Sequence, residues 1–253
     1  MAKTIAIANQ KGGVGKTTTA VNLSAAIGLA GKKTLLIDID PQGNSTSGVA
    51  VDKRKVKYST YNILVDDIKP EDCLVYTEYT NLHLLPSNLD LAAAELEIVD
   101  IPKREARLKN AIAGIKQNYD YIFIDCPPSL GLITTNALTA ADSILVPIQC
   151  EYYALEGLSQ LMNTVRRIKR QFNEMLDIEG VLLTMYDGRL NLTQQVVSEV
   201  KQFFPKKVFA TYIPRGVRIS EAPSFGMPVM YYDKLGKGAE SYIALGNEIL
   251  QKN

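Results

Sequence analysis

Lysines and glycines crowded between a short apolar run and a helical pattern are the first residues here whose spacing implies chemistry. The run Thr4–Ala8 leads directly into Asn9-Gln10-Lys11-Gly12-Gly13-Val14-Gly15-Lys16-Thr17-Thr18. Glycines at 12, 13 and 15 let the backbone curl so that its N–H groups converge on an anion. The helix beginning near Lys16 aims its positive dipole end at the same point. In such a loop Lys16 contacts the β- and γ-phosphates of a nucleotide, and the Thr17 hydroxyl ligates Mg²⁺. The common pattern opens with glycine where this chain has Gln10, and an additional lysine, Lys11, follows it. A glycine-rich turn that merely precedes a helix is the bland alternative; the strand–loop–helix context favours the phosphate site.

Phosphoryl transfer also needs a carboxylate that positions the metal and a group that orients the attacking water. The apolar run Tyr121-Ile122-Phe123-Ile124 ends in Asp125, followed by Cys126-Pro127-Pro128. An apolar strand ending in Asp is the usual second element of a phosphate-loop site, holding Mg²⁺ through a water. A second run, Leu35-Leu36-Ile37, ends in Asp38-Ile39-Asp40-Pro41-Gln42-Gly43-Asn44. Side chains alternate along a strand, so Asp38 and Asp40 face the same way and either reaches the phosphate side. Asp40 lies further out and is the better candidate to align water. Taken singly, an Asp at a strand end is as often a turn or cap residue.

These residues need a scaffold that brings strand ends together. Strands are expected over Thr4–Ala8, Thr34–Ile39, Leu82–Leu85, Tyr121–Ile124, Ser143–Ile148, Gly180–Met185 and Val208–Ile213. Most are β-branched and apolar on both faces, as buried parallel strands are. Helices are expected over Lys16–Ala30, closed by Gly31, over Lys103–Gln117, Leu155–Phe172 and Thr193–Phe204, stopped by Pro205, with a further helical pattern over Ala239–Asn253. Strands alternating with helices predict right-handed crossovers and a doubly wound, mostly parallel α/β sheet flanked by helices. Ligands of such sheets bind beyond the carboxyl ends of the strands, where the motifs fall. At 253 residues and 46% apolar, with no Pro/Gly/Ser-rich linker, repeat or low-complexity run, the chain reads as a single domain over 1–253.

Together the motifs resemble the deviant Walker ATPases, and within them the ParA/Soj chromosome- and plasmid-partition proteins. The resemblance rests on Lys11-Gly-Gly-Val-Gly-Lys-Thr-Thr, on Leu36-Ile-Asp-Ile-Asp-Pro-Gln-Gly-Asn44 and on Tyr121-Ile-Phe-Ile-Asp-Cys-Pro-Pro128. It continues through the stretches Val146–Leu158 and Ile213–Pro223, and so covers nearly the whole chain. It implies an ATPase that uses ATP/ADP with Mg²⁺, held by Thr17, Asp125 and Asp38. It implies that Lys11 reaches the other subunit's nucleotide, so that two ATP molecules are sandwiched in an ATP-dependent homodimer. Asp40 matches the residue that positions the hydrolytic water, and Lys16 the lysine on the phosphates. Met185, Pro214, Arg215 and Gly216 match the segment along the adenine. A ParB-type partner that binds centromere-like DNA accelerates slow hydrolysis in this family, and the ATP dimer binds double-stranded DNA without sequence preference. Some relatives add an operator-reading helix-turn-helix before the ATPase. With its first strand at Thr4, this chain reads as the short form.

A basic stripe fits that expectation. From Arg189 to Arg218 the bases are Arg189, Lys201, Lys206, Lys207, Arg215 and Arg218, against the single acid Glu199. A second cluster, Arg166-Arg167-Ile168-Lys169-Arg170, closes the long helix. Such charge neutralises phosphates without reading bases. An isolated cluster is more often a solvated helix face, and it is the resemblance that singles out Arg189 and Arg218 for DNA. The net charge of +1, from 28 basic and 27 acidic residues, excludes a uniformly basic coat but not a local patch.

Other chemistries are narrowed by composition. His83 is the only histidine and sits in the apolar run Leu82–Leu85, which removes histidine triads and marks it as a strand residue. Cys73, Cys126 and Cys150 are far apart without a C-x-x-C pair, a pattern that suits a reducing compartment. The N-terminus is too polar for a signal peptide, and no stretch of eighteen apolar residues occurs. A cytoplasmic, nucleoid-associated protein without a membrane partner is the expectation. A membrane-bound cell-division regulator of the same superfamily would need a basic amphipathic C-terminal helix, whereas Lys252 is the only base in Ala239–Asn253. A nitrogenase-type reductase would need a cluster-ligating cysteine pair, and an amide ligase a second substrate pocket.

Overall fold

The computed structural model of the chain describes residues 2–151 and 154–253, and of 154–157 the backbone alone. Among them seven strands form one sheet in the order β3-β4-β2-β5-β1-β6-β7. The strands are β1 (Lys3–Ile7), β2 (Thr34–Asp38), β3 (Val75–Tyr76), β4 (Leu82–Leu85), β5 (Tyr121–Asp125), β6 (Ser143–Gln149) and β7 (Asp177–Thr184). Every neighbouring pair is parallel except β3 against β4. The fold is therefore the doubly wound α/β sheet expected.

The helices are α1 (Lys16–Leu29), α2 (Asn44–Gly48), α3 (Thr60–Val65), α4 (Pro70–Cys73), α5 (Leu91–Glu97), α6 (Arg107–Ile112), α7 (Leu132–Ala140), α8 (Ala154–Gln171), α9 (Asn191–Phe203), α10 (Val217–Glu221), α11 (Val229–Tyr232) and α12 (Lys237–Lys252). They cover both faces, and strand alternation feeds two cores. Ala6, Leu35, Ile37, Ile122 and Ile124 point into one core with α6, α7 and α8. Ile5, Ile7, Leu36, Tyr121 and Phe123 point into the other, with α1 and α12. That is why the strands read as unbroken apolar runs. His83 lies in β4, its Nδ1 3.0 Å from the Tyr119 hydroxyl.

Two expected elements are changed by tertiary contacts. The helix expected over Lys103–Gln117 is broken into a 3₁₀ turn (Arg104–Ala106), α6 and a second 3₁₀ turn (Lys116–Asn118). Asn136 of α7 accounts for the first break. Its Oδ1 accepts the Leu108 N–H at 3.1 Å and its Nδ2 donates to the Arg104 carbonyl at 2.8 Å. Those two backbone groups are the i, i−4 pair that a continuous helix would have joined. The strand expected over Val208–Ile213 is an extended segment running parallel to β7. It bridges only at Val208 with Val181 and, just beyond, at Pro214 with Tyr186. Between these points the N–H groups of Ala210 and Thr211 donate to the Glu248 carboxylate of α12, at 2.9 and 3.1 Å, which interrupts the ladder. Of the motif stretch Val146–Leu158, Tyr152 and Tyr153 lie outside the described residues, as do the side chains of 155–157 in the expected helix Leu155–Phe172.

Candidate active site

The loop from Asn9 to Gly15 joins β1 to α1 at the carboxyl edge of the sheet. Gly13 and Gly15 take left-handed backbone, φ 76° and 87°, a region where a side chain strains the chain. Neighbouring strands hold the loop from both ends. Asn9 Nδ2 donates to the Pro147 carbonyl of β6 at 2.7 Å, and Asn9 Oδ1 accepts the Lys11 N–H at 3.0 Å. At the other end the Thr184 hydroxyl of β7 donates to the Val14 carbonyl at 2.8 Å. The first hydrogen bond of α1 forms where Thr19 N–H meets Gly15 C=O at 2.9 Å. The remaining N–H groups of the first helical turn face the loop's concavity.

Lys16 folds back so that its Nζ donates to the Lys11 carbonyl at 3.0 Å. Burial pushes its ammonium pKa down, while the nearby charges of Asp125 and, more weakly, Cys126 and Asp40 oppose that shift. Lys11 turns outward instead, and its Nζ lies 3.3 Å from Glu151 Oε2. Thr17 stands beside Asp125, where its hydroxyl draws the carboxyl's pKa down.

Asp38 and Asp125 are in register on β2 and β5, and both are fully buried. Burial raises both pKa values, and for Asp125 the neighbouring Asp38 charge raises it further. Their partners are unequal. Asp38 Oδ2 accepts the N–H and the hydroxyl of Thr46 at 2.8 and 2.7 Å, and its Oδ1 accepts the Asp40 N–H at 3.1 Å. Asp125 Oδ2 accepts the Ser45 hydroxyl at 2.7 Å, and its Oδ1 is buried with no hydrogen-bond partner. Two carboxylates side by side in a dry setting, one with an unsatisfied oxygen next to Thr17, fit a divalent cation. Asp40, the next residue on the same face, is nearly buried; its Oδ1 accepts the Gln42 N–H at 2.9 Å, turning the chain toward α2.

A cavity of about 280 Å³ opens beyond the loop, lined by Gly15, Thr18, Met185, Pro214, Arg215 and Gly216 among others. The structure thus brings the segment expected along the adenine to the phosphate loop. Met185, the residue after β7, has φ 50°, a left-handed value that a large side chain adopts at a cost. Arg189 and Arg218 stand apart on the surface, in the turn after β7 and on α10. Each is already paired. Arg189 donates from Nε and Nη2 to the two Asp187 oxygens at 2.9 and 2.7 Å. Arg218 reaches Glu221 at 3.0 Å and the Tyr232 hydroxyl at 3.4 Å.

Sequence reasoning missed Asn9 and Thr184 as loop anchors, and Ser45 and Thr46 as carboxylate partners. Ser45 and Thr46 follow the Asp38-Ile39-Asp40 motif closely, and their hydroxyls were a legible signal. Thr184 is 170 positions from Val14, and nothing in the sequence relates them.

A family model described as an AAA domain matches residues 2–178. The sporulation initiation inhibitor protein Soj of Bacillus subtilis is 58% identical to this chain over 98% of both chains. The chromosome partitioning protein ParA of Myxococcus xanthus is 51% identical over 98% of this chain and 88% of its own. The chain belongs to the ParA/Soj family of chromosome-partition ATPases. Among solved structures, a cobyrinic acid a,c-diamide synthase from Mycobacterium smegmatis, with bound ADP and magnesium, superimposes with a TM-score of 0.88 at 37% identity. That match covers 99% of this chain and 95% of the other. In this ParA/Soj family member the phosphate loop follows β1, and β2 and β5, which carry Asp38 and Asp125, lie in the same parallel sheet.

Proposed function

We propose that this protein hydrolyses ATP with Mg²⁺ and that its ATP-bound homodimer binds double-stranded DNA without sequence preference. A ParB-type centromere-binding partner would accelerate slow hydrolysis and so release it, which makes it a nucleoid-associated partition ATPase. The observation that carries the reading is the unpartnered, buried Asp125 Oδ1, on the carboxyl group beside Thr17, at the root of a loop whose Lys16 donates to a backbone carbonyl. Thr17 and Asp125 would hold the metal, which supplies positive charge against the phosphate oxygens. Asp38 keeps the start of α2 in place through Thr46. Lys16 would exchange the Lys11 carbonyl for the β- and γ-phosphates, and backbone at Met185 and Pro214–Gly216 would flank the base. Asp40 would orient the attacking water, and Lys11 would cross to the partner's nucleotide. ATP held between two protomers would bind the dimeric state more tightly than the monomer, which is how a nucleotide shifts the association equilibrium.

The test is DNA co-sedimentation with ATP, with ADP and without nucleotide, for wild type and Lys16→Ala. Wild type is expected to pellet with DNA only with ATP, and Lys16→Ala to lose both ATP-analogue binding and DNA association. Equal pelleting in all three conditions would overturn the reading. The diamide-synthase likeness supports a second one, since a cavity of about 390 Å³ shares Thr17 and Thr18 with the loop and is lined mainly by neutral side chains. An amide ligase would turn over ATP in response to a carboxylate acceptor and be indifferent to DNA.

A further inference from the structure

The Lys11 side chain is held inside its own protomer. Its Nζ lies 3.3 Å from Glu151 Oε2, just past the end of β6. The other carboxylate oxygen, Oε1, accepts from the Gln149 amide, so the carboxylate is aimed from its own strand end. The Lys11 backbone is referred to the same strand separately, through Asn9 and the Pro147 carbonyl. Main chain and side chain of Lys11 are thus both fastened to the end of β6. The side chains are 31% and 48% exposed, and an ion pair so open to water adds little to the stability of the fold. Weakness is useful in a contact that must be given up, because little is lost when a stronger anion arrives.

We propose that Glu151 is a positioning residue that keeps the Lys11 ammonium at home and thereby sets the protomer concentration at which ATP drives dimerisation. The inference rests on the proposed sandwich dimer. One ammonium cannot serve Glu151 and the partner subunit's nucleotide at full strength, so the two contacts compete. A carboxylate left beside an incoming triphosphate also repels it, and both effects act in the same direction. Each dimer breaks two such pairs, and the factors multiply. An exposed pair is worth up to about fivefold, so removing both tightens the dimer by on the order of threefold to twentyfold. The gain fades as salt screens the pair. Glu151 thereby guards against dimers forming at low ATP occupancy.

The experiment compares wild type, Glu151→Gln, Glu151→Asp and Lys11→Ala by sedimentation equilibrium with a slowly hydrolysed ATP analogue, at low and high salt. Glu151→Gln is expected to lower the dimer Kd at least threefold at low salt and far less at high salt. Glu151→Asp is expected to return toward wild type, and the Glu151→Gln effect is expected to vanish in a Lys11→Ala background. A second arm measures acylation of the Lys11 amine by mass spectrometry in protein without nucleotide. Losing the carboxylate frees the Lys11 amine from the contact that holds it against β6, so Glu151→Gln is expected to be acylated faster, with an unchanged melting temperature. A wild-type dimer with equal or weaker association in Glu151→Gln would overturn the proposal, as would unchanged acylation. Failure of the wild type itself to dimerise with ATP, while acylation behaves as expected, would count against the sandwich dimer rather than against the Lys11–Glu151 pair.

Discussion

Asp38, Asp40 and Asp125 lie within a few residues of one another in space, yet their surroundings give them different work. Asp38 spends its oxygens on Thr46 and the Asp40 backbone, so it fastens the start of α2 and acts on the site chiefly through its charge on Asp125. Asp125 keeps one oxygen unspent, the property a metal-holding group needs. Asp40 is tied by a single bond to Gln42 and sits where its charge is felt by Lys16. Removing its side chain takes away the bond to Gln42 and leaves the Lys16 and Asp125 hydrogen bonds in place. Asp40→Ala is therefore expected to bind ATP analogue with near-normal affinity while partner-stimulated turnover falls by on the order of a hundredfold, the size of loss usual for a positioning group. Phosphate release measured beside analogue binding checks it; near-normal turnover would hand the water-orienting role to Asp38 or elsewhere.

Element boundaries in this chain are set as much by side chains from elsewhere as by local preference. Asn136, buried in α7, substitutes for the helical bond between Leu108 and Arg104 and also reaches the Leu132 carbonyl at 3.0 Å. Glu248 of α12 captures the Thr211 N–H, next in line after Phe209 to pair with β7, together with the neighbouring Ala210 N–H. Asn136→Ala would strand a buried N–H and C=O unless the turn rewinds, and stranded groups cost about 1–3 kcal/mol. The variant is expected to lose about 2 kcal/mol in urea unfolding while nucleotide affinity stays within twofold, because among the described residues the hydrogen bonds of the α7 side chains go elsewhere than the loop. Unfolding without a measurable loss would mean that the helix closes Leu108 onto Arg104 once Asn136 is gone.

At the scale of the molecule, the doubly wound sheet gathers the loop, both carboxylate strands and the 214–216 segment at its carboxyl edge, as such sheets do. Among the described residues no helix is long and apolar enough to cross a membrane. The two arginines expected to meet DNA are exposed, and the acids beside them, Asp187 and Glu221, partly cancel their fields. One protomer therefore offers few net phosphate contacts, and two protomers on one rigid body offer twice as many. Each phosphate neutralised steepens the salt dependence of binding by about 0.9 log units per log unit of salt. The ATP-bound wild type is expected to show a steeper salt slope than the monomeric Lys11→Ala variant and no preference among duplex sequences. The double Arg189→Glu, Arg218→Glu variant is expected to lose DNA while still dimerising with ATP, as read by filter binding beside light scattering. Retained DNA affinity in that variant would move the track to Arg166–Arg170.

The sequence by itself determined the fold class and the loop, because both are written in short-range terms. Glycine spacing, a lysine at the head of a helix and apolar runs ending in Asp are legible within ten residues, and family likeness extended them to Met185 and Pro214–Gly216. Which carboxylate has an oxygen to spare was decided only by tertiary structure, since Ser45 and Thr46 choose between Asp125 and Asp38 through the way α2 folds back on two strands. The same holds for the anchors of the loop, where Thr184 and Pro147 come from strands far along the chain. It holds too for the broken helix at Leu108 and the interrupted pairing at Ala210. Except at exposed Ala210, a buried polar group had to be satisfied by whatever the packing brought within reach, and in every case that neighbour is invisible to any local pattern.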